Sequence, residues 1–118
     1  MKAWICLFLM AAAITAGCTG APESVTVGVE ENGTEVAVAL GGQVTIRLPE
    51  DPSTGDEWQT DLSDGLVVVD ERRTPGWREW TVEAFEPGTH RFSAYLTGRF
   101  DPPSSAEEWY TISLRFVG

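Results

Sequence analysis

The chain has 118 residues, and its eight Lys+Arg against eighteen Asp+Glu give a net charge of -10. That length supports one domain, which buries about two-thirds of its unfolded surface and needs no covalent staples. The acidity excludes a nucleic-acid partner, because no basic face is available to displace counterions from phosphates.

The start of the chain reads as a targeting segment. Met1-Lys2 is a minimal positive region, Trp4 to Ile14 is apolar, and Thr15-Ala16-Gly17-Cys18 follows. The apolar run is too short for a spanning helix of about twenty residues, so an export signal is expected rather than an anchor helix. The tetrapeptide resembles the lipobox of prokaryotic lipoproteins, although Thr15 stands where an aliphatic residue is usual. That resemblance implies cleavage before Cys18, lipidation of Cys18, and an extracytoplasmic domain held at the membrane through the lipid. The alternative is an ordinary secretory signal cut near Ala16 or Ala21. Residues 1–18 are therefore assigned to the signal, 19–24 to a polar tether, and 25–118 to the folded domain. Only Cys6 and Cys18 are cysteines, so the exported domain has no disulfide and no cysteine-ligated metal. Beyond Cys18 seven arginines oppose all eighteen acids, a net charge of -11.

From Val25 onward the pattern is that of strands. Val25, Val27 and Val29 alternate with Thr26 and Gly28, and Asn32-Gly33 is a strong hairpin signal. Val36, Val38 and Leu40 mark a second strand, Gly41-Gly42 a turn, and Val44, Ile46 and Leu48 a third strand. A loop rich in turn residues runs from Leu48 to Trp58. Pro52 fixes its own φ, Asp51 and Ser53 can bond nearby amides, and Gly55 admits positive φ, so a stiff projection is expected. Trp58 to Leu62 is a short strand, expected to carry Trp58 into the core. Leu66 to Val69 is apolar on both faces and is expected to be covered on both, before Asp70 to Arg73 carry the chain into solvent. Thr74-Pro75-Gly76 breaks the chain. Trp80, Val82 and Ala84 alternate, Glu86-Pro87-Gly88-Thr89 turns, and Phe92, Ala94 and Leu96 continue. A long loop from Thr97 to Glu108 precedes a last strand with Tyr110, Ile112, Leu114 and Phe116 on one face. Seven to nine short strands at this spacing predict an all-β, immunoglobulin-like antiparallel two-sheet sandwich.

Catalytic machinery is hard to assemble from these residues. His90 is the single histidine, and its place beside Pro87-Gly88 suits a strand start rather than a nucleophile's base. Zinc lacks ligands, and Asp51, Asp56 and Glu57 lack the alternating spacing of a calcium loop, so neither metal nor cofactor is expected. Close carboxylate pairs arise by chance among eighteen acids, so binding is the expected role and no enzymatic activity is expected.

The run from Gly42 to Gly55, with Trp58 three residues on, resembles the chagasin family of cysteine peptidase inhibitors. That family's pattern is a strand, an Asn-Pro-Thr-Thr-Gly loop, then an aromatic residue, any residue, and tryptophan. The Glu86-Pro87-Gly88-Thr89 turn also matches, and the likeness extends over about residues 33 to 117. It implies a monomeric inhibitor that reversibly plugs the cleft of papain-like cysteine peptidases with three loops of one sandwich end. By position, Asp51, Pro52, Ser53, Thr54 and Gly55 correspond to the central loop. The family's glycine-rich second loop is cut down here to Arg72 to Glu79, with Gly76-Trp77 the nearest equivalent. One of Trp77 and Trp80 is expected to be exposed, since they face opposite ways in a strand. The family's Arg-Pro-Trp of the third loop is represented by Arg99-Phe100, without the proline and with phenylalanine for tryptophan. The altered second and third loops keep open another reading, a non-inhibitory cell-surface structural or adhesion module.

Overall fold

Residues 21–118 are described by the computed structural model; the signal segment with Cys18 and the first residues of the tether lie outside them. Among the described residues eight strands form: β1 (Ser24–Val27), β2 (Glu35–Ala39), β3 (Gln43–Pro49), β4 (Asp56–Leu62), β5 (Leu66–Thr74), β6 (Trp77–Ala84), β7 (Gly88–Gly98) and β8 (Glu108–Val117). They build two four-stranded sheets, ordered β1-β3-β6-β5 and β2-β8-β7-β4. Ser24, assigned to the tether, already begins β1. The Pro22 and Glu23 carbonyls accept from Ala39 and Gln43, at 2.8 and 2.9 Å.

The two-sheet, all-β sandwich expected from the strand spacing is present, and its central pairings are antiparallel. Two edge pairings are parallel: β1 with β3, and β2 with β8. Asn32-Gly33 accordingly joins no hairpin. Between β1 and β2 the chain crosses from one sheet to the other through a short 3-10 turn, Val29–Glu31. Asn32 fixes the crossing by donating to the Trp109 carbonyl (3.2 Å) and accepting from the Thr111 amide (3.0 Å), which extends the β8 ladder with a side chain. Asn32→Ala removes both bonds and is expected to cost about 1 kcal/mol, read as a lowered urea midpoint at unchanged slope.

Alternation in β3, β6, β7 and β8 turns one residue in two inward. Val44, Ile46 and Leu48 are buried from β3, Trp80, Val82 and Ala84 from β6, and Tyr110, Ile112, Leu114 and Phe116 from β8. Trp80 packs on Phe92 with ring centroids 5.5 Å apart, and Phe92 meets Tyr110 edge-on at 6.4 Å. Such aromatic contacts add to the burial of large apolar area that holds the sheets together. Trp58 is buried, as expected, and its indole N–H donates to the Pro49 carbonyl at 2.8 Å.

The continuous apolar run at the start of β5 is covered only at its first residues, and Val67 is half-buried on the face opposite Leu66. Leu66 is buried, whereas Val68 is 39% and Val69 47% exposed. β5 is an edge strand, so Val68 stays exposed although it shares a face with Leu66 and pairs with the buried Val82, and a bulge between Val68 and Asp70 shifts the strand's phase. Asp70 to Arg73 continue β5 as a paired strand up to Thr74, and their charges protect an edge that would otherwise invite pairing. His90 spans two turns, its ring nitrogens lying 3.2 and 3.1 Å from the Asp64 and Glu86 carbonyls, a structural position.

Candidate functional site

The strand registers bring three connections to one end of the sandwich. Pro49 pairs with Trp77, Thr74 with Trp77, and Asp56 with Gly98. The loop from Glu50 to Gly55, the turn at Pro75-Gly76, and the segment from Arg99 to Glu107 therefore sit together.

The central loop braces itself. Pro52–Thr54 is a single 3-10 turn capped by Asp51, whose carboxylate accepts from the Ser53 amide (3.0 Å) and hydroxyl (2.7 Å). Thr54 Oγ1 donates to the Asp51 carbonyl at 2.9 Å and accepts from the Asp56 amide at 3.2 Å. Gly55 closes the turn at φ 83, a conformation side-chain-bearing residues rarely adopt. All five residues are exposed apart from these mutual contacts, so the loop is stiff without being buried.

The Ser53 hydroxyl and then its amide hold the Asp51 carboxyl below its ordinary 3.8. A carboxylate lowered by folding contributes order above its unfolded value and loses that contribution as pH falls through the folded value. The Ser53 amide resonance is therefore expected to titrate below pH 3.8, and Asp51→Asn, which keeps an acceptor but no charge, should flatten that titration.

The second loop is as short as a hairpin connection can be. Thr74 and Trp77 pair directly, leaving Pro75 and Gly76 at the tip with Gly76 at φ 87, the arrangement of a type II turn. Trp77 is not at that tip. It opens β6 on the outer sheet face, half-buried beneath Arg47, whose guanidinium carbon lies 3.8 Å from the ring centroid. Trp80, its expected opposite, is fully buried.

Thr97 and Gly98, expected in the third loop, belong to β7. A tight turn follows, with the Asp101 amide donating to the Gly98 carbonyl at 3.0 Å and Arg99 and Phe100 at its centre. Phe100 is 93% exposed, the most exposed large apolar side chain of the described residues. Farther along, the buried Thr97 hydroxyl meets Ser105 Oγ at 3.0 Å, and the Glu107 amide donates to the Leu96 carbonyl at 2.9 Å, so the loop is pinned at its far side. The Asp56 carboxyl, by hydrogen bond and then by charge, raises the Glu107 carboxyl above its ordinary value, with burial and Glu108 adding to it.

Ionic contacts link the loops. Glu50, at the foot of the central loop, is buried; its amide donates to the Gly76 carbonyl at 3.1 Å. Its Oε2 accepts from the Trp58 amide and from Arg78 Nη1, both at 2.9 Å. Arg78 is buried as well, over the Trp80 ring, and Glu71 takes its other side. Arg73 lies 3.9 Å from Glu50 and 3.7 Å from Glu57, and Glu57 lies 3.5 Å from Arg99. Burial of Glu57 opposes its ionisation, but Arg99, Arg73 and Gln59 outweigh it and leave the carboxyl below its ordinary value. A shallow cavity of about 240 Å³ remains between the central and third loops, lined among others by Pro52, Gly55, Arg73 and Arg99.

Asp51 to Gly55, Gly76, Arg99 and Phe100 thus share one end, with Trp77 on the adjoining sheet face. Sequence reasoning missed Glu50, Arg73 and Arg78. The signal for Arg78 was available: it shares strand parity with Trp80, Val82 and Ala84, and an inward arginine needs a buried acid. Among the described residues no group of three or more His, Asp or Glu is placed to hold a metal ion.

The backbone is similar to the crystal structure of a cysteine protease inhibitor from Entamoeba histolytica, at 17% identity, with a TM-score of 0.73 over 80% of this chain and 98% of that one. It is also similar to the solution structure of Amebosin, at 18% identity, with a TM-score of 0.60 over 79% and 97% of the two chains. No curated protein sequence matches the chain. The sequence profile described as chagasin family peptidase inhibitor I42 matches residues 37–114. That span runs from β2 to β8 and takes in all three loops, and the chain belongs to the chagasin family of peptidase inhibitors.

Proposed function

We propose that this protein is a reversible inhibitor of papain-like cysteine peptidases that inserts the Asp51–Gly55 loop into the active-site cleft, flanked by the Pro75-Gly76 turn and by Arg99-Phe100. The observation that carries this reading is the self-braced central loop standing between two neighbours at one end of a rigid sandwich. A loop already fixed in one shape loses little conformational entropy on docking. It also resists cleavage if its carbonyls are held out of line with the attacking thiolate. Phe100 offers an aromatic anchor beside it, of the kind that dominates interface energies.

The domain acts as a monomer held at the membrane through a lipid on Cys18. β1 starts opposite Gln43, at the end of β3 remote from Pro49, so a chain tethered through its beginning directs the loops away from the bilayer. Incorporation of labelled fatty acid into the parent and not into Cys18→Ser tests the anchor. Titration of papain activity with the protein tests the inhibitor: tight, reversible, stoichiometric loss of activity is expected. The two-residue second loop favours the other reading, a surface module without inhibitory action, and no inhibition of papain or its relatives at high micromolar concentration establishes that one.

A further inference from the structure

Glu50 does not face the outside: its side chain is 5% exposed, so a docked peptidase cannot reach it. It is nonetheless the residue on which the three loops converge. Its amide is bonded to Gly76 in the second loop, and its carboxylate closes the central loop through the Trp58 amide. Through Arg73 and Glu57 its charge continues to Arg99 in the third. The chain Arg78, Glu50, Arg73, Glu57, Arg99 alternates in sign, and Glu71 balances Arg78 on its far side, so the set is neutral within an otherwise acidic protein. Sheet pairing holds the start of the central loop to the second loop and its end to the third, but the second and third loops belong to opposite sheets and no strand pairing joins them.

We propose that Glu50 is a positioning residue, a buried latch that sets the central loop in register with the other two and thereby makes the binding end competent before it meets a peptidase. The inference rests on the inhibitor reading above for its effect on binding, but the latch itself can be read without a peptidase. If competence is a pre-existing fraction of the folded population, loosening the latch lowers that fraction and slows association in proportion. Loss of a direct contact instead accelerates dissociation. The two mechanisms therefore separate in the rate constants.

Glu50→Ala is expected to lower the association rate with papain about tenfold while leaving the dissociation rate within about twofold, at temperatures well below its unfolding transition. Glu50→Gln, which keeps an acceptor for the Trp58 amide and Arg78, should fall between parent and Glu50→Ala. Arg73→Gln leaves the buried pair intact and cuts only the link to the third loop, so it folds even where Glu50→Ala does not; its expected loss of association rate is about threefold. Amide hydrogen exchange gives the readout independent of inhibition: Gly55, Trp58 and Asp101 should exchange faster in the variants while Phe92 and Ile112 do not. Parental association rates with unchanged exchange in the loops overturn the proposal. So does uniform acceleration across the core, which makes Glu50 a general stabiliser, or a loss carried by dissociation. If the parent itself fails to inhibit papain, the inhibitor reading falls, and exchange at Gly55, Trp58 and Asp101 alone decides whether the latch exists.

Discussion

Thr54→Arg is expected to raise the inhibition constant for papain by about 100-fold or more while the domain keeps its fold. Thr54 ends the 3-10 turn of the central loop, exposed, with its hydroxyl spanning the Asp51 carbonyl and the Asp56 amide. Arginine removes those two hydrogen bonds and adds a long cationic chain to the loop proposed to enter the cleft. Losing two exposed local hydrogen bonds costs about 1 kcal/mol of stability, too little to unfold a domain of this size. Misplacing a central interface residue has a larger effect, because hot-spot losses reach about 2 kcal/mol and more and each 1.4 kcal/mol is tenfold. Thr54→Ser, which retains the hydroxyl, should inhibit like the parent. A Thr54→Arg protein that inhibits equally well places the contact surface elsewhere than this loop.

The strands with one buried face were readable because alternation is a direct record of burial. Val44-Ile46-Leu48 and Tyr110-Ile112-Leu114-Phe116 show their inward residues without knowledge of any partner. Pairing partners were not readable in the same way. Asn32-Gly33 has the chemistry of a hairpin, yet its asparagine spends both polar groups on β8, seventy-seven and seventy-nine residues away, and the chain changes sheets. Leu66 to Val69 illustrate the converse limit. An apolar run looks the same whether a second layer covers it or an edge leaves it half in water, and only the strand order decides. At the end of the sandwich where the three loops meet, turn chemistry marked Asp51 to Gly55 because each of those residues works locally. The Glu50–Arg78 pair joins positions twenty-eight residues apart, and a single acid among eighteen carries no local mark of its partner.

Arg78→Ala is expected to be among the most damaging single changes to stability, at about 3–5 kcal/mol, because it strands a carboxylate that the fold keeps from water. Glu50 would retain the Trp58 amide, but its nearest other cation, Arg73, stands 3.9 Å away and is half-exposed. Glu71, the other acid on Arg78, is 42% exposed and loses little, since solvent replaces the arginine. The packing of the guanidinium over Trp80, 5.0 Å from its centroid, disappears as well. For a domain of about 100 residues, a loss of that size lowers the thermal midpoint by roughly 15–30 °C. The double variant Arg78→Leu with Glu50→Gln separates charge burial from packing. It removes both ions, keeps an acceptor for the Trp58 amide, and refills the volume, so it should return to within about 2 kcal/mol of the parent, as replacement of whole buried ion pairs often does. The same double variant still lacks the charge that reaches Arg73 and the third loop, so it should be stable and yet slow to associate with papain. That divergence is the expected signature of an ion pair kept for the geometry of the binding end, since a hydrophobic pair would serve the core equally well. If denaturant titration shows Arg78→Ala losing less than about 1 kcal/mol, Glu50 is not stranded by the loss of Arg78 and the pair is not what holds this carboxylate in the fold.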